Sequence, residues 1–328
     1  MSTSSGPVPV TENAGRVVLV GLGPIGIEVG KALVAHRVEI LGAADPAPGI
    51  VGRELETLVA GAGAGRIVAG DAAEIYRRAR AGDVAVVCTG SRLHAVAPAI
   101  EAAVDAGLSV VSTCEELAHP ALRHAEIAAR IDGKARARGV VVLGAGVNPG
   151  LVMDRLPLAL VWGSCRVDHI TIERVVDAAQ RRAPLKAKVG AGLTIDAFRA
   201  GVAAGRFGHV GLAESAALIA DGIGVVIGAI EETTEAVTDP ATGLVLGVHQ
   251  TAIIHAGGVE RVRLDLKMYA GAPDPHDRIV VAGDPPLDVL VTGGFHGDRA
   301  TVGATVSAVR AISEMSPGLR RATATSYS

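Results

Sequence analysis

The stretch Val111-Ser112-Thr113-Cys114-Glu115-Glu116-Leu117-Ala118-His119-Pro120 sets a thiol and two adjacent carboxylates directly behind the apolar run Leu108-Ser109-Val110-Val111. A strand that ends on such a cluster delivers it to the edge of a sheet, where α/β proteins bind their ligands. Thr113 and Glu116 have the spacing of a capping box, in which hydroxyl and carboxylate each satisfy a backbone donor of a new helix. An acid in a first helical turn also suits the dipole. That duty accounts for Glu116. Glu115 has no such local duty, so the chemistry is assigned to Glu115, with Glu116 as the alternative. A carboxylate in a redox crevice suits a substrate nitrogen, because it takes a proton from an ammonium and stabilises an iminium. Cys114 offers a rival reading as the nucleophile of an acylating dehydrogenase, since thiols at helix N-termini can have lowered pKa values. Two acids following it push the other way, and no Gly-rich oxyanion turn surrounds it.

What would sit beside those acids is set by Arg16-Val17-Val18-Leu19-Val20-Gly21-Leu22-Gly23-Pro24-Ile25-Gly26. A short buried strand meets a G-x-G-x-x-G loop, and a helix follows from Ile27. Gly21 allows the tight turn, Gly23 lets backbone approach a pyrophosphate, and Gly26 lets helix pack on strand. Pro24 and Ile25 complete the loop, and the helix N-terminus favours phosphates. A second strand, Val38 to Ala44, ends in Asp45, roughly 20 residues beyond the glycines, where a ribose 2′-hydroxyl is held. These features predict a dinucleotide site. The competing reading is a glycine-rich turn in a flavodoxin-like sheet, in a chain with 42 glycines. Asp45 would repel a 2′-phosphate, so NAD(H) is expected, with NADP(H) tolerated if Arg53 reaches it. Thr89 and Ser91, after the strand Asp83 to Cys88, complete the cofactor lining.

Gly144-Ala145-Gly146-Val147-Asn148-Pro149-Gly150-Leu151 ends the last parallel strand. Asn148 is placed on a nicotinamide carboxamide, or else serves an ordinary Asn-Pro-Gly turn. Val147 and Leu151 give an apolar substrate lining, with Trp162, Phe198 and Phe207 as walls or as core. His209, in Gly208-His209-Val210-Gly211-Leu212-Ala213-Glu214-Ser215, is either a substrate-site residue or a loop histidine. The ten histidines show no H-E-x-x-H spacing, so no metal is expected.

Strands alternating with helices up to Gly150 predict a Rossmann-type, doubly wound parallel sheet over residues 1–150. The expected elements include a short strand at 66–68, a helix at 72–81 and a helix over 98–106. Beyond it, strands at 165–176, 222–232, 245–256, 259–269, 278–282 and 287–292 predict an α+β domain over 151–295 with an open, mostly antiparallel sheet. A helix at 298–314 is expected to pack back, within 296–328, on the first domain. An open sheet leaves an edge or face to cover, so a homodimer is expected. A net charge of -3 and 2% aromatic residues argue against nucleic acid as a partner. Ser215 to Ile230 is too short and too interrupted to span a membrane. Three cysteines without metal spacing and a polar, frayed start lacking a signal peptide give a cytoplasmic expectation.

Taken in order, Gly21 to Gly26, Thr113-Cys114-Glu115-Glu116-Leu117-x-x-Pro120, Gly146-Val147-Asn148-Pro149-Gly150, Lys188-Val189-Gly190-Ala191-Gly192 and Gly208 to Ser215 resemble the native amine dehydrogenases and the related 2,4-diaminopentanoate dehydrogenases. The nucleotide domain of that family is similar to that of dihydrodipicolinate reductase. The resemblance implies a homodimer, NAD(P)H, and reversible reductive amination of a ketone or aldehyde by ammonia. It places the catalytic glutamate in the Cys-Glu-Glu segment, carried here to Glu115. The His-His-x-x-Lys and Asp-x-Pro-Ser-Gly-Thr stretches of dihydrodipicolinate reductases are absent from the sequence, which argues against that activity. An apolar lining favours small apolar carbonyls over a diamine. A different class, a dinucleotide sensor without turnover, stays open.

Overall fold

The computed structural model describes residues 15–179 and 189–321. The leading tail, Lys186 and Lys188 lie outside the described residues. Val17–Val20 (β1) is buried at every position, as a strand covered on both faces must be. After the glycine loop come α1 (Pro24–Ala35), β2 (Ile40–Ala44), α2 (Ala73–Tyr76), β3 (Val84–Val87), α3 (Leu93–Asp105), β4 (Ser109–Ser112), α4 (Ala125–Arg138) and β5 (Val141–Gly144). A short helix, α5 (Arg155–Leu160), leads to β6 (Arg166–Asp177). Then follow α6 (Ile195–Ala203), α7 (Leu212–Gly222), β7 (Ala229–Thr238), β8 (Val245–Ala256), β9 (Val259–Tyr269), β10 (His276–Asp284), β11 (Leu287–Thr292), α8 (Gly297–Ala311) and β12 (Gly318–Arg320).

Six parallel strands run in the order β12-β5-β4-β3-β1-β2. This is a Rossmann-type sheet whose chain direction switches sides at β1, which opens a crevice at the carboxyl ends of β1 and β3. The stretch expected as a strand at 66–68 makes only isolated bridges, Glu54 with Ile67 and Ala44 with Ala69. The helix expected over 72–81 is one turn, Ala73–Tyr76. By contrast α3 starts five residues before Pro98, because Leu93, Val96, Ala97 and Ile100 already form its buried stripe. α8 returns to this sheet: Val306, Ala308 and Val309 share one apolar cluster with Val29 and Leu33 of α1. β12, which sequence patterning did not reveal, pairs with β5 at the edge.

The second sheet has the order β11-β10-β6-β9-β8-β7, antiparallel except for the parallel pair β6 and β9. Alternation puts Ile170, Ile172, Ala252, Ile254, Val262 and Leu264 on the face covered by Leu212, Ala216 and Ile219 of α7. The strand expected over 222–232 begins instead at Ala229. The apolar residues Ile223, Val225 and Ile227 pack on that core from a loop after α7, and the strand proper is Glu- and Thr-rich. No helix among the described residues is long and apolar enough to cross a membrane.

Candidate active site

The glycine loop shows why its residues are small. Gly21 has φ +90°, and a Cβ there would lie 2.8 Å from the Cys88 carbonyl oxygen. A Cβ on Gly26 would lie 2.0 Å from the Gly21 carbonyl oxygen, so helix and turn touch backbone to backbone. Above Gly23 there is open space, and α1 carries no side-chain cap, so its first-turn N–H donors are available to phosphate. Asp45 fixes the loop by accepting from the N–H groups of Leu22 (2.7 Å) and Ala47 (2.8 Å).

Two cavities lie side by side along this edge. One of about 600 Å³ is lined by Gly21, Ala44, Pro46, Tyr76 and Thr89. Its neighbour, of about 290 Å³, is lined by Ile25, Ser91, Glu115, Val147, Asn148 and His209, and also by Arg174 and Asp298. Asn148 is buried, and its side-chain oxygen has no hydrogen-bond partner among the described residues. A buried unsatisfied acceptor is costly, and a ligand amide would relieve it. The row of sites from Pro46 to Asn148 fits an extended dinucleotide, adenosine in the larger space and nicotinamide in the smaller.

The paired acids part company. Glu115 lines the smaller cavity and Glu116 does not. Glu116 is buried and accepts from the Leu93 N–H (2.7 Å), the Arg92 guanidinium (3.0 Å) and His124 Nε2 (2.9 Å). Burial would raise its pKa, but the Leu93 N–H, Arg92 and His124 outweigh it and hold the carboxyl below the usual range. The structural role expected for Glu116 therefore stands with other partners. Cys114, not Thr113, precedes the turn, and no side chain caps it. The turn hangs from the Ser91 carbonyl, which accepts from Glu116 N–H (3.3 Å) and Cys114 Sγ (3.2 Å). Burial and Glu115 push the Cys114 thiol up to about 12, which leaves it inert as a nucleophile. His94, Glu116 and His124 bring ligand atoms within 4.8 Å of one another, a proximity their sequence spacing hides. Arg92 and the N-terminus of α3 already neutralise that carboxylate, so it does not call for a cation.

His209 reaches the cavity from a turn clamped by buried Gln250 on β8. The Gln250 side-chain oxygen accepts from His209 N–H (2.7 Å), and its amide donates to the His209 carbonyl (3.0 Å). Leu151 does not line the cavity; it packs on the core of the second sheet. Nor do the aromatic residues form walls. Phe198 and Phe207 stack at 5.7 Å in a separate core, and Trp162 is 83% exposed. Sequence reasoning missed Arg174, which donates to buried Asp277 (2.6 Å) and to the Phe295 carbonyl (2.8 Å). Its signal was present: Arg174 takes an inward position in the alternation Ile170, Ile172, Val176 of β6.

Residues 151–326 match the model of the 2,4-diaminopentanoate dehydrogenase C-terminal domain. The chain belongs to this family. A 2,4-diaminopentanoate dehydrogenase from Acetoanaerobium sticklandii is 29% identical over 322 residues, covering 93% of this chain and 91% of the relative. The structure of an amine dehydrogenase from Mycobacterium smegmatis superposes with a TM-score of 0.81 at 22% identity, covering 95% of this chain and 96% of the other. GenD2 from gentamicin A biosynthesis, in complex with NAD, superposes with a TM-score of 0.57 at 18% identity, covering 88% and 75%. This member of the diaminopentanoate dehydrogenase family is an NAD(P)-dependent oxidoreductase acting on amines.

The Glu116 contacts have a pH signature. Because its folded pKa lies below that of an ordinary glutamate, its stabilisation is full above the ordinary value and is lost as pH falls through the lower, folded one. Glu116→Gln should lower stability at neutral pH and flatten the acid limb of stability against pH, measured by urea denaturation from pH 7 to 3. An unchanged acid limb would contradict this role.

Proposed function

We propose that the chain catalyses reversible reductive amination of a small ketone or aldehyde by ammonia, with Glu115 as the catalytic acid–base. The observation that carries this reading is the placement of Glu115, and not Glu116, on the cavity that Asn148 also lines. In this reading residues 1–150, with 296–328 packed back on them, bind the dinucleotide, and 151–295 supply the substrate and dimer surfaces.

The nicotinamide, when bound, supplies or accepts the hydride. Everything else falls to the chain. Asn148 orients the carboxamide through its unsatisfied oxygen. Glu115 holds the ammonium by charge, takes a proton from it, and faces the positive iminium carbon–nitrogen bond as it develops. Ile25, Val147, Val210 and Met268 surround these groups with apolar surface, which strengthens the attraction and slows imine hydrolysis. His209 adds a polar group at the cavity wall.

A second reading is favoured by two charged residues in the wall, which an apolar-carbonyl site does not require. Arg174, which also pairs with buried Asp277, and Asp298 put side chains of both charges on that wall, a lining suited to a substrate with both a carboxylate and a second amine. That is the substrate class named for the Acetoanaerobium relative. Neither reading is compatible with a sensor, which would bind cofactor without consuming it. The open second sheet supports a homodimer, whose mass sedimentation would read directly. Asp45 supports NAD(H) over NADP(H).

The experiment is NADH oxidation with ammonium chloride and a panel of cyclohexanone, pentanal and a 4-oxo carboxylic acid. Glu115→Ala should lower kcat by about a hundredfold or more while NADH still binds. A variant that keeps most of its turnover would overturn the assignment. In the same assay KM for NADH should lie below that for NADPH. Arg174→Leu should selectively lose the oxo acid if the second reading holds, and affect all three carbonyls alike if it does not.

A further inference from the structure

Asp154 has no exposed surface, and its carboxylate joins two turns that are far apart in sequence. One oxygen, Oδ2, accepts both the Gly150 N–H (2.8 Å) and the Ser215 hydroxyl (2.9 Å). The other, Oδ1, accepts the N–H of Arg155 at the start of α5. Gly150 closes the turn that carries Asn148 and Pro149. Ser215, itself fully buried, lies in the first turn of α7, just past Gly211. Gly211 is the point on which that turn and Glu115 both rest: a Cβ there would lie 2.5 Å from Pro149 Cγ and 3.1 Å from Glu115 Cβ.

We propose that Asp154 is a positioning residue, whose buried carboxylate locks the Asn148 turn onto α7 and so fixes how Asn148 and Glu115 face one another across the cavity. Capping α5 does not explain this residue. A cap needs one acceptor for one N–H, and a neutral serine or asparagine supplies it without burying a charge. What requires a carboxylate is that donors converge on both oxygens, Oδ1 from the start of α5 and Oδ2 from two separate turns. An amide has one acceptor oxygen: turned to keep the Gly150 and Ser215 donors it sets its NH₂ against the Arg155 N–H, and turned the other way it sets NH₂ against the Gly150 N–H and the Ser215 hydroxyl. Burial pushes the Asp154 carboxyl upward, while the Gly150, Arg155 and Ser215 donors oppose that.

The activity part of the test rests on the reductive-amination reading; the structural part does not. Asp154→Asn and Ser215→Ala are made in the full chain and followed by cyclohexanone amination, NADH fluorescence titration, thermal melting and amide exchange over residues 146–151. In Asp154→Asn, kcat should fall by about ten- to a hundredfold as the facing groups drift, and NADH affinity, to which Asn148 contributes one contact, should fall by clearly less. Exchange over 146–151 should accelerate. Ser215→Ala should give a smaller loss in the same direction, and combining the two should lose less than the product of the separate effects, because they share one contact. A folded Asp154→Asn chain with wild-type kcat and exchange would overturn the proposal. So would parallel losses of kcat, NADH affinity and melting temperature, which mark general fold support. If the Asn variant does not fold, Ser215→Ala decides alone, since it keeps the charge and two of three donors; unchanged kcat and exchange there would overturn the proposal. A wild-type chain without ammonium-dependent turnover on any carbonyl would sink the functional reading instead, and exchange over 146–151 would still decide on Asp154.

Discussion

Everything at the candidate site depends on a close approach at Gly211. There the chain takes φ +93°, and the Glu115 turn and Pro149 pack into the space a side chain would fill. Three turns from distant parts of the sequence can meet only because one of them presents bare backbone. An L-residue would be strained by the dihedral and would also collide with Pro149. Gly208 adds a second tight point, since a Cβ there would lie 3.3 Å from the Gln250 oxygen that holds His209. Glycine therefore serves this protein twice, at the cofactor loop and at the seam between the two sheets.

Ion pairs hold that seam closed from outside. Arg123, between the Glu115 turn and α4, donates to Glu214 in the first turn of α7 (2.8 Å) and also binds Glu232 on β7. His119 pairs with Asp221 at the far end of α7 (2.9 Å), and Arg321 joins the same carboxylate. Glu214 is buried, so burial raises its pKa while Arg123 opposes the rise. These contacts couple the carboxylate-bearing segment of the parallel sheet to the helix that covers the second sheet. Glu115 and His209 consequently sit on segments that these contacts tie together.

The sequence carried local periodicity well and distant partners poorly. β8, β9 and β11 were legible to the residue because each is a run rich in β-branched and apolar residues bounded by turn residues such as Gly243, Gly257-Gly258, Pro285-Pro286 and Gly293-Gly294. The glycine loop was legible because each glycine meets a separate steric demand. The division of labour between Glu115 and Glu116 could be guessed, but the reason for it could not. The Leu93 N–H and Arg92 that occupy Glu116 lie 23 and 24 residues upstream, where no local spacing rule reaches. Leu151 and Trp162 were misplaced for a related reason: an apolar residue near a site motif reads the same whether it faces ligand, core or solvent. Arg174, Gln250 and Asp154 were overlooked although each interrupts an apolar pattern at a buried position, and such interruptions are the trace a buried polar network leaves in sequence.

The proposed chemistry reduces to one carboxylate, Glu115, on a small cavity that the buried Asn148 amide oxygen also lines. Its most direct test is a crystal structure with NAD and cyclohexylamine bound. The expected result puts the amine nitrogen within about 3 Å of the Glu115 carboxylate and gives the Asn148 oxygen a donor from the nicotinamide carboxamide. An amine bound elsewhere, with Glu115 turned away from the ring, would contradict it.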